Sequence, residues 1–397
     1  MALPSETPIK KSPLKIAAFI ETFFLVAVIF LPISKALVEL GTTTALVLWG
    51  IKKIRDRDAS LNLPKSILSI WGFFLGIVFL SLTQTEPELL GRGLRGCLKW
   101  IQYLAIFLVA ADFYSQRDRS LLLTAFTATM AVVTFNGFIQ LATGTDWLRQ
   151  NSLSPGRIVR MTSSLGAPNT LAAFYLFALP ISGILFFSKN RYRFYYIVAA
   201  TLFVTGLILT FSRAACFALV ATSIPFLLMR RKFKVFLLLC AAIFLSLFLS
   251  QSIRSNYLAS LKWTDITIHA RFLFWDKAVK LWQQRPFLGY GVNTYHEQIP
   301  VIQTPEGPYK GYAHNSYLQM GVELGGVGVF ALAAGLGLVI KFGLRERTIV
   351  QDFFAVAILS FLIQSFFDNN FYALQPAQLF WIFLGVFLAE PKRLTSQ

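Results

Sequence analysis

Long apolar runs of about 15 to 23 residues recur along the whole chain, and most are separated by short polar links. A helix needs about 20 mostly apolar residues to cross the hydrocarbon core of a membrane. The runs are continuously apolar and too long for strands, so they indicate buried helices. We predict an all-α polytopic membrane protein with about twelve transmembrane helices, at residues 15–33, 36–51, 66–83, 97–112, 120–142, 167–187, 194–211, 213–229, 235–251, 320–340, 348–366 and 376–390.

The composition agrees with a single integral membrane domain over residues 1–397. The chain is 55% apolar and only 14% charged, whereas a soluble domain has about 25% charged residues. The basic N-terminus resembles a signal peptide, but no small-residue cleavage pattern follows it, so the first run is predicted to be a retained helix. Cys97, Cys216 and Cys240 lie in or beside apolar runs without CxxC spacing, which argues against a disulfide framework or metal site.

The basic residues give the predicted orientation. Of the 37 Lys and Arg residues, 22 fall in the N-terminal tail, the C-terminal segment and every second link. The positive-inside rule then predicts that both termini face the cytoplasm. The net charge of +18 is scattered through these short links, so membrane lipids are the expected partners and nucleic acid is not.

The remaining basic residues form an excess on the opposite, periplasmic side. Arginine presents a planar fork of donors that suits phosphate oxygens, so this excess suggests a bound lipid-linked diphosphate. For Arg92, Arg95 and Arg149, an interaction with lipid headgroups is an equally good explanation.

The one long link, residues 252–319, is predicted to be a periplasmic loop that contains an amphipathic helix. In the segment HARFLFWDKAVKLWQQRP, Phe272, Trp275, Val279 and Trp282 recur at helical spacing, which predicts an apolar face at the membrane interface. Arg271 lies one turn before Trp275, on the same face. After this loop, His314 is expected at the mouth of the next span, where a neutral imidazole could accept a proton. A structural hydrogen bond or cap is its alternative role.

Four stretches, taken together and in this order, resemble the O-antigen ligase and polymerase family of membrane glycosyltransferases. They are SSLGAPNTLAAFYLFALP (163–180), LTFSRAACFALV (209–220), RFLFWDKAVKLWQQRPFLGYGVNTY (271–295) and AHNSYLQMGVELGGVGVF (313–330), with a weaker fifth, SFFDNNFYALQPAQLFWIFLGV, at 365–386. The resemblance covers residues 160–390 and implies a GT-C-like catalytic core in a bacterial inner membrane. The first 150 residues match only in hydropathy.

The resemblance implies glycosyl transfer on the periplasmic face, inverting and without a metal or other cofactor. The donor would be an undecaprenyl-pyrophosphate-linked glycan and the acceptor a hydroxyl of lipid A-core. By the family's HN motif, His314 would be the general base and Asn315 a substrate contact. By its SR motif and the start of its loop helix, Arg213 and Arg271 would hold the pyrophosphate. The outer segments contain no close Asp-x-Asp pair of the kind that a metal-dependent transferase uses.

Other candidates each have a plain alternative. Arg157 and Arg160 are further pyrophosphate ligands, Trp275 is a substrate contact, and Asn169 either touches substrate or caps a helix. Glu323 could orient an arginine or be an interior hydrogen-bonding residue. Asp368 could orient His314 or pair with Arg271. His269 and His296 have no ligand-like partners, so a zinc site is not expected.

Other functions remain open at this stage. A polymerase with a glycan acceptor shares every motif above, and a protein O-oligosaccharyltransferase is a further variant. A transporter would place charges or matched broken helices near the midplane, and neither is evident in the sequence. A lipid-binding scaffold without catalysis would not need His314.

Overall fold

The computed structural model describes residues 14–58, 60–153, 159–188, 191–230, 266–304 and 307–389. Within these ranges the chain is almost entirely helical. The helices are α1 (Leu14–Phe30), α2 (Lys35–Arg55), α3 (Lys65–Leu80), α4 (Leu90–Tyr114), α5 (Ser120–Thr143), α6 (Pro168–Phe187), α7 (Arg193–Leu209), α8 (Arg213–Met229), α9 (Ile266–Gln284), α10 (Tyr295–Gln298), α11 (Ser316–Gly343), α12 (Ile349–Gln364) and α13 (Leu374–Leu388). A short antiparallel hairpin joins β1 (Ile302–Thr304) to β2 (Gly307–Tyr309).

Several of these helices can cross a membrane, as the hydropathy pattern predicts. Five segments of the described chain are long and apolar enough by length and composition, namely Lys65–Gln84, Pro87–Tyr114, Ser120–Thr143, Pro168–Phe187 and Ser316–Gly343. Shorter apolar helices cover the positions of α1, α7, α8, α12 and α13. The polytopic all-helical class is therefore confirmed. The ninth predicted span, 235–251, lies outside the described residues, and the total of twelve stays a prediction.

The largest difference between a predicted and an observed helix boundary is at α4. The fourth span was expected at 97–112, but α4 begins at Leu90, directly after a 3-10 turn at Pro87–Leu89. Arg92 and Arg95 therefore lie in the first turns of a helix rather than in a loop. The apolar criterion placed the start too late because these two arginines and three glycines interrupt the hydrophobic pattern without breaking the helix.

Hydrogen bonds between the links form two groups, one at each end of the bundle. At the end that we call the outer end, Ser164 Oγ donates to Pro32 O (2.6 Å), Arg160 Nε to Thr210 O (2.8 Å), Arg285 Nη1 to Gln84 O (2.9 Å) and Ser316 Oγ to Asp368 O (2.9 Å). At the inner end, ion pairs join Lys53 to Asp112, Arg117 to Glu21 and Arg230 to Asp352. Each group contains links that the predicted alternation assigns to one side. That the outer end faces the periplasm stays a prediction from the charge distribution.

The main core lies around α13, whose residues from Gln375 to Leu388 are all buried. Trp381 packs edge-on against Trp71 of α3 and Trp100 of α4, with ring centroids 5.5 and 6.2 Å apart. Edge-to-face packing places the positive edge of one ring against the negative face of another. This aromatic centre fixes the helices that carry the outer-end links.

A second, smaller core lies at the outer end. It contains Phe274, Ala278, Tyr295, Ile299, Ala313 and Val322. This core shows a second apolar side of α9 that was not predicted: Phe274 and Ala278 are buried against the protein, while Phe272 and Val279 of the predicted interfacial face are 51% and 38% exposed. The helix is apolar on two sides, so its spacing alone could not show which side packs. The exposed side is the one available to the membrane interface.

Helix α11 is interrupted at Gly325, which has φ 67° and ψ −174°. The segment after α9 passes beside this break: Tyr290 N donates to Val322 O (2.8 Å), Gly291 N to Glu323 O (3.0 Å) and Gly326 N to Pro286 O (2.7 Å). A Cβ atom at Gly325 would lie 2.0 Å from Phe287 O, so only glycine allows this approach. The loop thereby satisfies backbone groups that the interrupted helix leaves unpaired.

Candidate active site

Arg213 is the first residue of α8, at the outer end. The chain enters this helix through Phe211, whose φ of 51° is unusual for an aromatic residue, and through Ser212 at the N-cap position. The preceding turn is held by Arg160, which donates from Nε to Thr210 O (2.8 Å) and from Nη2 to Asn169 Oδ1 (3.0 Å). The start of α8 is thus fixed by a second arginine.

Arg271 and Trp275 lie one turn apart on α9, as predicted, and share a cavity with Arg213. The cavity has a volume of about 280 Å³. It is lined by Arg213, Ala214, Phe217, Arg271, Phe272, Trp275 and Phe367. Two guanidinium groups from distant parts of the sequence therefore meet in one concave site, beside the aromatic residues of α8, α9 and the link before α13.

His314 lies at the entrance of α11, two residues before the helix begins. Its φ of 49° places a non-glycine residue in the left-handed region. Such conformations persist only where the surroundings hold them, and they cluster at functional sites. Asn315 provides part of that support, because it caps α11 by accepting hydrogen bonds from Tyr317 N and Leu318 N, both at 3.0 Å.

Asp368, in the link between α12 and α13, lies beside the histidine. His314 Nδ1 is 3.8 Å from Asp368 Oδ1. Burial alone would raise the pKa of Asp368, but His314, the Asn369 backbone N–H and Arg271 outweigh burial and hold that pKa below its ordinary value. Asp368 is therefore an ionised carboxylate at neutral pH.

The histidine loop and the arginine cavity are joined by direct contacts. Trp275, which lines the cavity, donates from Nε1 to Ala313 O at 2.9 Å. Phe274, the residue before it, packs against the His314 ring with centroids 6.5 Å apart. Arg271 acts electrostatically on Asp368, the neighbour of His314. The predicted base and both predicted pyrophosphate ligands therefore belong to one site at the outer end.

The link that carries Asp368 is anchored on α11 by polar groups. Asn369 Oδ1 accepts from Asn315 N (2.9 Å), and Asn369 Nδ2 donates to Gln319 Oε1 (2.8 Å). Ser316 N donates to Ser365 O (2.8 Å). These bonds hold the carboxylate and the imidazole in one fixed arrangement, as a catalytic pair requires.

Three other sequence candidates use their side chains in hydrogen bonds within the protein. Asn315 uses its side chain as the helix cap. Asn169 is not a cap, since the N-cap of α6 is Ala167, and its carbonyl instead orients Arg160. Glu323 accepts from Asn293 N (2.8 Å), Tyr295 N (3.3 Å) and Gln319 Nε2 (3.2 Å), so it holds the loop after α9. Arg157 lies outside the described residues.

Comparison with known families adds an independent observation. Residues 197–333 match the family model described as O-antigen ligase. This segment of the chain is similar to the O-antigen ligase family. The matched segment contains Arg213, Arg271 and His314, while Arg160 and Asp368 lie outside it. A search of curated proteins gives no match.

Some features of this candidate site could not be predicted from the sequence. Phe217 and Phe367 line the cavity but could not be told from other phenylalanines among the 39 in the chain. The unusual backbone conformation of several site residues could not be predicted from the sequence either. Each of the four family-like stretches contains one non-glycine residue with positive φ, namely Ser163, Phe211, Asn293 and His314. Asn and His are enriched in that conformation, but Ser163 and Phe211 give no such signal.

Proposed function

We propose that this chain is a glycosyltransferase that moves a glycan from an undecaprenyl-diphosphate carrier to an acceptor sugar hydroxyl at the periplasmic surface of the bacterial inner membrane. The leading form is O-antigen ligation onto lipid A-core. The observation that carries the proposal is the cavity shared by Arg213 and Arg271, next to the His314–Asp368 pair.

In the proposed reaction, the acceptor hydroxyl oxygen attacks the anomeric carbon of the lipid-linked sugar. The new C–O bond forms as the bond to the diphosphate oxygen breaks, with inversion at that carbon. The hydroxyl proton passes to His314. Because Nδ1 faces Asp368, Nε2 is the nitrogen that would accept the proton, and the carboxylate would stabilise the resulting imidazolium.

The leaving group is an undecaprenyl diphosphate, and its negative charge grows as the bond breaks. Two fixed guanidinium groups can stabilise that charge without reorganising. Arg213 and Arg271 are suited to this role since each presents donors in a planar fork. The position of Arg213 at a helix N-terminus adds backbone dipoles of the favourable sign. In this proposal, the positive charge that stabilises the leaving diphosphate is supplied by protein side chains.

The test is transfer by the purified full-length chain in detergent. The donor is the undecaprenyl-linked glycan extracted from a strain that lacks this gene, and the acceptor is glycan-free lipopolysaccharide from the same strain. We expect Arg271→Ala and Arg213→Ala each to lower kcat/KM by roughly 10- to 100-fold, the loss of a charge-assisted hydrogen bond or two. Lys280→Ala on α9 and Arg95→Ala on α4 are the matched controls and should keep near-normal turnover.

Two results would remove the proposal. One is normal transfer in the Arg213→Ala, Arg271→Ala double variant. The other is loss of transfer in the controls to the same extent, because the cavity would then have no special role. A polymerase would instead extend the lipid-linked glycan and leave the lipopolysaccharide unmodified, so product analysis separates the two family activities.

A transporter remains the rival from another class. Among the described helices, α11 is interrupted at Gly325, a feature that carriers also use. Here, however, the neighbouring loop forms hydrogen bonds to the backbone groups at the interruption. The carboxylate of Glu323, next to it, already accepts hydrogen bonds from backbone amides of that loop. Glycan transfer in detergent, where no compartments exist, would exclude an obligatory transport function.

A further inference from the structure

An exposed surface lies on the link that leads to His314, outside the lining of the arginine cavity. Residues 312, 313 and 314 alternate in burial: Tyr312 is 51% exposed, Ala313 is fully buried in the small outer core, and the His314 side chain is 36% exposed. Tyr312 is thus exposed two residues before His314, whose ring packs against Phe274 of that core. Two residues along the chain separate Cα atoms by at most about 7 Å. That separation is close to the width of one sugar ring.

The ring of Tyr312 is held in place by its neighbours. Its centroid lies 5.8 Å from that of His296, on the short helix α10. Ala313 anchors the backbone below it, and Trp275 holds the Ala313 carbonyl. A large aromatic side chain that is half exposed yet fixed by its surroundings forms a platform rather than a flexible surface group.

Hydrogen-bonding groups of both kinds lie beside His296, the residue that contacts the Tyr312 ring. Glu297 follows His296 and forms ion pairs with Arg92 at 2.9 Å and Lys310 at 3.5 Å. Burial opposes ionisation of Glu297, but these two cations and His296 hold its pKa below the ordinary value. Its carboxylate is 30% exposed and can accept hydrogen bonds from hydroxyl groups. The Lys and Arg side chains can donate them.

This combination fits a carbohydrate better than a purely apolar or purely anionic ligand. The C–H groups of a sugar ring carry partial positive charge and pack on the negative face of an aromatic ring. The hydroxyl groups at the ring edge need both acceptors and donors, which a carboxylate and nearby cations provide. A lipid chain would leave Glu297 without a hydroxyl partner, and a bare phosphate would not use Tyr312.

We propose that Tyr312, with His296 and Glu297, forms the subsite that binds the acceptor sugar. This inference rests on the proposed function, because it assigns the acceptor side of the same reaction. His314 then stands between two half-sites. The diphosphate of the donor occupies the arginine cavity, and the acceptor ring stacks on Tyr312 with one hydroxyl directed to the imidazole.

The test separates the Michaelis constants for the two substrates in the full-length protein. Tyr312→Ala is expected to raise the acceptor KM about tenfold, the scale of one lost aromatic contact, and to leave the donor KM within about twofold. Tyr312→Phe and Tyr312→Trp keep an aromatic face and should retain most acceptor affinity. Trp147→Ala removes another exposed outer-end aromatic residue, 55% exposed, and is the matched control with no expected change.

Binding of the acceptor is measured separately, in the His314→Ala background and without donor, so that no transfer can occur. The probe is core oligosaccharide released from the glycan-free lipopolysaccharide by mild acid. Weaker binding by about tenfold on adding Tyr312→Ala would support the subsite. Equal binding would overturn it, as would a Tyr312→Phe variant as damaged as Tyr312→Ala, or a rise in the donor KM alone.

The two proposals fail in different ways. If the wild-type protein transfers no glycan yet binds core oligosaccharide through Tyr312, the proposed reaction is wrong and the sugar site stands. If transfer proceeds normally in Tyr312→Ala with an unchanged acceptor KM, the reaction stands and the subsite is wrong. Melting temperatures of all variants should match that of the wild type, since Tyr312 lies at the surface.

Discussion

The pairing of Asp368 with His314 gives the sharpest quantitative prediction. Substituting Asp368→Asn removes the charge but keeps the shape, including an oxygen for the Asn369 N–H that now donates to Oδ1 at 2.8 Å. The change therefore tests electrostatics rather than packing. If His314 is the base, the lost charge is felt when the imidazole becomes positive, late in the transfer step.

The magnitude follows from the separation of the two groups. At 3.8 Å, two unit charges interact by about 1 kcal/mol in water and about 4 kcal/mol at an effective dielectric constant of about 20. The side chains of His314 and Asp368 are 36% and 21% exposed, so solvent screens the pair partly. We expect a loss of about 2 kcal/mol, which corresponds to a fall in kcat of roughly 30-fold.

The assay is a double-mutant cycle on kcat with Asp368→Asn, His314→Ala and the combined variant. Because Asp368 is expected to act through His314, adding Asp368→Asn to His314→Ala should cost little more. Asp276→Asn on α9, whose carboxylate pairs with Lys280 at 2.8 Å and is 48% exposed, is the control with unchanged kcat. A full 30-fold loss from Asp368→Asn in the His314→Ala background would refute this reasoning and point to Arg271 as the partner that matters.

Three further predictions concern stability, pH and metals. Gly325→Ala would place a Cβ 2.0 Å from Phe287 O at a φ of 67°, so we expect a destabilisation of about 3 kcal/mol and a clearly lower Tm. The control is Gly337→Ala in the same helix, where a Cβ would meet no atom within 4 Å and Tm should be unchanged or slightly raised. The folded-state pKa of Asp368 lies below its ordinary 3.8, so its stabilising effect is present above that value and is lost as pH falls further. The Tm difference between wild type and Asp368→Asn should therefore shrink below pH 4, and a difference that grows there would contradict this. Dialysis against EDTA should change turnover less than about twofold, because the proposed site stabilises the leaving group with guanidinium groups; a larger loss restored by a divalent cation would contradict it.

The sequence was sufficient to predict most of the described helices, because long apolar runs and their basic links are local signals. It also predicted that Arg271 and Trp275 share a helix face, since that depends only on spacing. The family-like motifs drew attention to Arg213, Arg271 and His314. Their meeting at one site depends on contacts between α8, α9 and the link that precedes α11, which lie far apart in the sequence.

Other features could not be predicted for identifiable physical reasons. The buried side of α9 is decided by the partner that Phe274 and Ala278 meet, and that partner is formed by Tyr295, Ala313 and Val322 far along the chain. The interruption at Gly325 depends on the approach of the loop at Phe287, and a lone glycine in an apolar run does not signal it. From the sequence, Glu323 could equally orient an arginine or be an interior hydrogen-bonding residue. In the structure, the backbone amides of Asn293 and Tyr295 donate hydrogen bonds to its carboxylate.

The most direct measurement is an experimental structure of the protein with undecaprenyl diphosphate bound, determined by electron cryo-microscopy in a lipid nanodisc. The account predicts that both phosphate groups lie between Arg213 and Arg271, with guanidinium nitrogens within about 3 Å of phosphate oxygens, and that the imidazole of His314 faces the position of the transferred sugar. A diphosphate bound at the inner end, beside Arg117 or Arg230, or one that contacts neither cavity arginine, would contradict it.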